Sequence, residues 1–359
     1  GATSFAYLAG AASLGLFSVL MGSLADRFSV RSIAVVGSVS LGVFYLALSR
    51  MESLWELYLY YSLMGGLGSA ALFSPLLAQI GKWFQGHGGM AIGLCTAAFS
   101  LAQSTMPSLS RFLITEYGWR GAYTALGWGC LAVLVPLVLL LRPAPAASES
   151  TTAMGPSNSL QSDAAAPNGV LWIAIAVVFC CICHATLLIH LVPLTQDLGV
   201  GSQQAAGLLT TVFVAGLFGR IVVGILSDRI GGLKSYMLFS LAQTIPIYGF
   251  LYVETVPALY LLAAVFGFFF GGVMVAIFTA LEGYVPPERR GFSFGLVSLF
   301  GWTGMGMGGY QGGFFYDLKG DYHLSFQVAV LAGVVNLLIL SILFYRSRPR
   351  LQEVLPAPA

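Results

Sequence analysis

Charge is what this chain has least of: Asp, Glu, Lys and Arg make up 8% of its 359 residues, where an ordinary soluble domain carries roughly a quarter. With 57% hydrophobic residues and a mean hydropathy of +0.85, there is too little polar surface to cover a core in water. A soluble fold is excluded, and lipid must cover much of the chain. The net charge of +2 is too small and too scattered for a nucleic-acid partner. No Gly-rich phosphate loop and no hydrolytic constellation is present, which argues against nucleotide-driven transport and against an enzyme. Five cysteines, an odd number, lie largely in apolar runs (Cys95, Cys130, Cys180, Cys181, Cys183) and form neither a disulfide framework nor a spaced zinc site. Cys180, Cys181 and Cys183 beside His184 crowd successive helix positions and cannot converge on one ion. No metal or cofactor is expected.

What is present is a series of apolar runs, each long enough to cross a bilayer as a helix. Eleven are found: Phe5 to Leu24, Ile33 to Leu48, Leu54 to Ile80, Met90 to Thr115, Ala122 to Leu141, Leu171 to Thr195, Gln204 to Leu226, Tyr236 to Tyr252, Ala258 to Leu281, Phe292 to Tyr316 and Ser325 to Tyr345. The long polar interruption is rich in Ala, Ser and Pro and reads as a flexible linker. The expected organisation is an N-terminal bundle over 1–141, a linker over 142–168, a C-terminal bundle over 169–346 and a tail over 347–359. Alternate loops with the tail hold eleven of the Lys and Arg residues, including Arg27, Arg31, Lys82, Arg142, Arg229 and Lys234, against four in the other set (Arg50, Arg111, Arg120, Lys319). The richer set should face the cytoplasm, taking the linker and the C-terminus with it.

The two halves repeat. Gly22-Ser-Leu-Ala-Asp26-Arg27 returns as Gly224-Ile-Leu-Ser-Asp228-Arg229, 202 residues later; Gly89 and Gly93 return as Gly291 and Gly295, and Gly118 as Gly320, in the same register. Parallel repeats about an axis along the membrane normal are implied. The counterpart of Leu171 to Thr195 would lie before residue 1, so the expectation is a twelve-span, 6+6 protein whose first helix is missing from this chain.

These motifs resemble the signature loop of the major facilitator superfamily. His190-Leu-Val-Pro193 with Asp197 and Gly199, Trp83-Phe84 before a Gly-rich helix start, Gly118-Trp119-Arg120 with Tyr123, and Arg290-Gly291 with Gly295 narrow the resemblance to the monocarboxylate-porter and oxalate/formate branch. It implies an all-α membrane protein, a pseudo-symmetric helix bundle working as a secondary transporter. In the signature loops, Asp26 and Asp228 can accept hydrogen bonds at the start of a neighbouring helix and pair with Arg27 and Arg229, latching two helices, while Gly22 and Gly224 permit close approach. The first copy departs from the second: Ser29 stands where Gly231 does. His87 and Gly88 replace the basic pair usual in the family.

Arg220 is the first candidate for the transport site. It lies eight residues before Asp228, about 12 Å in from the helix end, where an Arg costs at least ~2.5 to 3.5 kcal/mol unless it meets water or a partner. Its planar fork suits a carboxylate, and the resembling porters carry their anion-binding Arg on the corresponding helix. They often place an Asp one turn earlier as proton partner; here that position is Gly216. No second cation lies on the helix over 292–316, which favours a monoanion over a dianion, although the missing first helix limits that argument. His190 is either a substrate-site proton carrier or a histidine bonded between helices, and His184, six residues earlier, points to another face. Phe73, with Pro75, stands where the resembling carriers often have Tyr and favours an apolar substrate tail, with core packing an equal explanation. Gln103, Trp302 and Gln311 line the cavity by analogy with the family. Glu282, at a helix end, reads as an interfacial charge. The leading reading is a transporter of a small organic monocarboxylate, with protons as coupling ion, in the cell membrane. The alternatives are an organic-anion exchanger or amphiphile exporter, and a non-transporting membrane sensor with the same fold.

Overall fold

In hydrocarbon every backbone N–H and C=O must find a partner within the protein, so long apolar runs become helices. The computed structural model describes residues 2–84, 87–142, 168–285 and 289–352, and every secondary-structure element among them is helical. Most of the linker expected over 142–168, and the end of the tail, lie outside the described residues.

The helices are α1 (Ala2–Arg27), α2 (Val30–Leu48), α3 (Leu54–Leu59), α4 (Gly66–Trp83), α5 (Gly88–Leu139), α6 (Gly169–Asp197), α7 (Ser202–Ile230), α8 (Gly232–Gly249), α9 (Val256–Glu282), α10 (Arg290–Lys319) and α11 (His323–Gln352). A π-helical turn, Tyr60–Gly65, joins α3 to α4, and Ser40 Oγ donates to Met64 O at 2.8 Å within it. α5 is two helices: Gly118 breaks it at φ 67 and ψ 170. Its repeat partner Gly320 also has a positive φ, 76, a conformation glycine adopts without steric cost. All eleven runs expected from the sequence therefore lie on helices, with the two around Gly118 sharing α5. Among the described residues, seven helical segments are both long and apolar enough to span a bilayer. The first copy's departure at Ser29 has a backbone reason: Ser29 has φ −61, whereas Gly231 turns with φ 91.

The described residues pack as two units. One takes in Gly1–Trp83, Thr105–Ala147 and Pro287–Thr303; the other takes in Phe84–Ser104, Ser148–Pro286 and Gly304–Ala359. Each unit thus combines most of one linear half with a helix segment from the other. The first has an aromatic cluster in which Phe44, Leu48 and Leu57 are buried beside Tyr45, Tyr61 and Tyr123, and a second cluster around Met21, Ile33, Ala70 and Ala71. The second has a larger core from α6, α7, α8, α9 and α11, including Leu187, Leu191, Val212, Phe266 and Phe326. Leu261 and Ile245, 68% and 69% exposed, belong to the outer surface, which is apolar as a lipid-facing surface must be.

Polar groups inside are tied within helices or across them. Ser38, Thr96, Thr195 and Ser298 donate to the carbonyl four residues back, which hides a hydroxyl without water. Between α8 and α11, Tyr236 donates from its hydroxyl to Asn336 Oδ1 at 3.1 Å and Asn336 Nδ2 donates to Ser240 Oγ at 2.6 Å; all three residues are fully buried. Asn336→Leu leaves both partners without their bonds. It should lower stability by about 1 to 2 kcal/mol, read as a fall in the thermal midpoint of the detergent-solubilised protein. An unchanged midpoint would show that this seam does not hold α8 to α11.

Candidate functional site

The two Asp residues of the repeated loop perform the same task in the two units. Asp26, in the last turn of α1, accepts from Gly291 N at 2.9 Å with Oδ1 and from Phe292 N at 2.8 Å with Oδ2, at the start of α10. Asp228, near the end of α7, accepts from Gly89 N at 2.8 Å with Oδ1 and from Met90 N at 2.9 Å with Oδ2, at the start of α5. The amides are ones that a helix start leaves without intrahelical partners, and the helix dipole adds to the attraction. Close approach needs glycine: a Cβ on Gly22 would run into Gly291 O, and one on Gly224 into Gly89 O. The expected pairing with the adjacent Arg is not formed among the described residues. Both carboxylate oxygens are taken by amides, consecutive helix positions point about 100° apart, and Arg27 and Arg229 are exposed.

Along the same face, α5 carries Gly89, Gly93, Thr96 and Ser100 at helical spacing against α7. A Cβ on Gly93 would meet Arg220 O. Four residues before Arg220, Gly216 is pressed on α9, where a Cβ would stand 3.2 Å from Gly267 O and 3.5 Å from Ser100 Oγ. The position at which the porters often carry an Asp is thus a close-packed one here. Arg220 itself is 6% exposed, and its Nε donates to Ser100 Oγ at 2.8 Å. Among the described residues the guanidinium has no carboxylate partner. Gln103, one turn beyond Ser100, is half-buried, and its Oε1 is buried without a hydrogen-bond donor.

His184 and His190 do face different ways. His184 is fully buried, its ring 5.0 Å from that of Phe270, and neither ring nitrogen has a hydrogen-bond partner. His190 is half-buried, with Nε2 3.0 Å from Gly309 O on α10. It lies seven residues from the Asp197 end of α6, and Arg220 lies eighteen from the corresponding end of α7, so the two differ in depth by about 16 Å at 1.5 Å per residue. Phe73 and Trp302 fall in the other unit, both half-buried. Ser74, next to Phe73, shares a 3.2 Å hydrogen bond with Ser298, one turn before Trp302. Gln311 is a tie between helices: its Nε2 donates to Thr186 Oγ1 at 2.6 Å and to Ser325 O at 3.3 Å. Cys180, Cys181 and Cys183 are free and buried, Cys180 accepting from Gln243 Nε2 at 3.3 Å. Sequence reasoning did not find Ser100. Its signal was the stripe of small residues running from Gly89, which ends on a hydroxyl.

With helical elements throughout the described residues, several of them bilayer-length and apolar, the chain is a multi-pass membrane protein. The family model described as "Major Facilitator Superfamily" matches it twice, over residues 1–201 and 173–359. The chain belongs to that superfamily. It is 28% identical over 332 residues to monocarboxylate transporter 13 of Rattus norvegicus, covering 90% of this chain and 77% of that one. Among solved structures, the fucose:proton symporter of E. coli superposes with a TM-score of 0.72 at 14% identity, covering 95% of this chain and 91% of that one. The human organic anion transporter MFSD10 does so with 0.70 at 16%, covering 93% and 83%.

The paired carboxylates make a crosswise prediction. Asp228→Asn should speed hydrogen–deuterium exchange at the amides of Gly89 and Met90 while leaving Gly291 and Phe292 as they were, and Asp26→Asn should do the reverse. A variant that left exchange at its partner helix unaltered would show that the carboxylate does not hold that helix start.

Proposed function

We propose that this superfamily member moves a small organic monocarboxylate across the cell membrane, together with a proton, by rocking two bundles around a central site. The observation that carries the reading is Arg220: a guanidinium 6% exposed in the interior of an apolar helix, bonded to the neutral hydroxyl of Ser100 and to no carboxylate among the described residues. Burying a cation without a counter-ion is costly, and an anionic substrate offsets that cost. The fork of Nη atoms left beyond the Nε–Ser100 bond suits a carboxylate, which can take two parallel hydrogen bonds. The name of the monocarboxylate transporter relative agrees with this chemistry.

In this reading Arg220 holds the carboxylate and Gln103 offers an amide one turn from Ser100. The loops Gly22-Asp26-Arg27 and Gly224-Asp228-Arg229 act as gates. Each Asp ties a helix of one linear half, 1–141 or 169–346, to a helix start of the other half, so releasing both clamps frees the halves to rock. The linker and the C-terminus lie on the cytoplasmic side, following the distribution of Lys and Arg. The role is transport without catalysis, in a lipid bilayer.

The test is counterflow in proteoliposomes with labelled acetate, lactate, butyrate and benzoate. Arg220→Lys keeps the charge and loses the fork, so substrate affinity should fall by about 1.5 to 3 kcal/mol, roughly ten- to a hundredfold. Arg220→Gln should abolish binding with no loss of thermal stability, because the desolvated charge is gone. Unaltered affinity in purified Arg220→Gln protein would show that the site is elsewhere. Exchange that ignores a pH gradient would favour an anion exchanger, and no flux of any probe a sensor.

A further inference from the structure

At the Asp197 end of α6 stands a group of titratable side chains about 16 Å in depth from Arg220. His190 is its inner member. A carbonyl oxygen only accepts, so the 3.0 Å contact with Gly309 O fixes the hydrogen on Nε2 and leaves the free lone pair on Nδ1. α10 makes room for the ring: a Cβ on Gly312 would run into the imidazole Cδ2 and Nε2. The ring of Tyr322 lies 5.4 Å from the imidazole, and that of Tyr316 lies 4.5 Å from Tyr322. The Asp197 carboxylate acts electrostatically on the Tyr316 hydroxyl. Asp197 is exposed and sits seven residues after His190, which on a helix is within about 20° of the same face and about 10.5 Å further along. An exposed carboxylate, two phenols and a half-buried imidazole thus form one line on the faces of α6, α10 and the α10–α11 connection.

The charged and titratable groups around this line are few. Asp317, on α10, acts on Tyr322 along with Asp197. His323, on α11, turns to Tyr252 beyond α8, with ring centroids 6.3 Å apart. Burial above all, and then the Asp197 carboxylate, push the Tyr322 phenol up to about 12, so it stays protonated at physiological pH and adds no charge of its own.

Other proton carriers are less well placed among the described residues. Asp26 and Asp228 have both oxygens on helix-start amides. Position 216 is a close-packed glycine. His184 is fully buried in an apolar core.

We propose that His190 is the proton-carrying group of this transporter, loaded from the aqueous phase at the Asp197 end, with Asp197, Tyr316 and Tyr322 as its positioning residues. The proposal rests on the transport reading above. On loading, a proton from water forms a bond with the Nδ1 lone pair, while Nε2–H stays on Gly309 O. Asp197, about 10.5 Å further along the helix, offsets part of the positive charge, and the substrate carboxylate, when bound, offsets the remainder in the net charge of the bundle. Release to water breaks the same N–H bond, and no electrons change hands.

The variant His190→Gln keeps a donor for Gly309 O and cannot carry a proton. In proteoliposomes with labelled lactate, butyrate or benzoate, whichever the unaltered protein exchanges, accumulation driven by a pH gradient should fall at least tenfold more than counterflow at equal pH. Asp197→Asn should move the midpoint of pH-driven accumulation to lower pH by about 0.3 to 0.6 unit, the effect of removing one charge at ~10 Å in a partly screened setting. If His190→Gln protein accumulates substrate with the unaltered pH profile, the proposal is wrong. A second measurement does not depend on transport: deuterium exchange at the imidazole C2–H of His190, followed by mass spectrometry, should be sigmoidal in pH. A flat profile between pH 4 and 9 overturns the proposal whatever the transport assays give. Absence of counterflow for every probe in the unaltered protein, with a sigmoidal profile at His190, would place the failure in the transport reading.

Discussion

The structure depends on two carboxylates, each holding the start of a helix far away in the chain. Asp26 reaches Gly291 and Phe292, and Asp228 reaches Gly89 and Met90, with Oδ1 and Oδ2 in the same order both times. Each bond is between an anion and amides that a helix start leaves free, in a chain too poor in charge to offer many substitutes. The geometry then dictates much of the neighbourhood. Two amides reach one carboxylate only if the backbones nearly touch, which confines Gly22, Gly224, Gly89 and Gly291 to glycine. It also fixes the register in which α5 runs along α7, and so the level at which Arg220 meets Ser100.

Within that repeated frame the two halves diverge at one telling position. Gly93 packs on the carbonyl of Arg220, and Gly295, its counterpart, packs on the carbonyl of Ser18. Ser18 is therefore the structural equivalent of Arg220, at the offset of 202 residues. A serine there needs no anion: its hydroxyl donates to Leu14 O at 2.7 Å and is content inside the helix. The guanidinium has no such internal solution, because one hydroxyl satisfies only one of its five N–H groups. The same backbone packing thus supports a self-satisfied residue in one half and, in the other, a cation with no carboxylate partner among the described residues. The anion site proposed at Arg220 rests on that difference between the two repeats.

Much of this was legible in the sequence because lipid simplifies the problem. With water excluded, an apolar run of bilayer length has to be a helix, and all eleven runs are. The register of Gly22, Asp26, Gly89, Gly118 and their repeats was visible as an exact spacing, and the positive φ at both Gly118 and Gly320 follows it. The Asp-to-amide contact could be foreseen because carboxylates and helix starts attract wherever they meet. The absent pair between each Asp and its adjacent Arg could not, since it depends on both oxygens already being occupied. Nor did the sequence indicate Ser100, a serine like many others until α7 is laid against it, or the bonds of Gln311 to Thr186 and Ser325, which join three helices. The division of α5 and α10 between packing units arises from how long helices cross, which apolar runs do not encode.

The separation in depth between Arg220 and His190 bears on how charge is handled in such a chain. A cation placed beside Arg220 would add a second desolvated charge of the same sign, and at a few ångströms in a medium of low dielectric the repulsion would exceed the gain from any single hydrogen bond. About 16 Å along the helices, on the side of the exposed Asp197 carboxylate, an imidazole gains a proton away from that repulsion. An anion on Arg220 and a proton on His190 would then change the net charge of the bundle interior by nothing, whereas either alone changes it by one. Where moving an uncompensated charge through hydrocarbon costs several kcal/mol, that neutrality favours movement of the two together over movement of one.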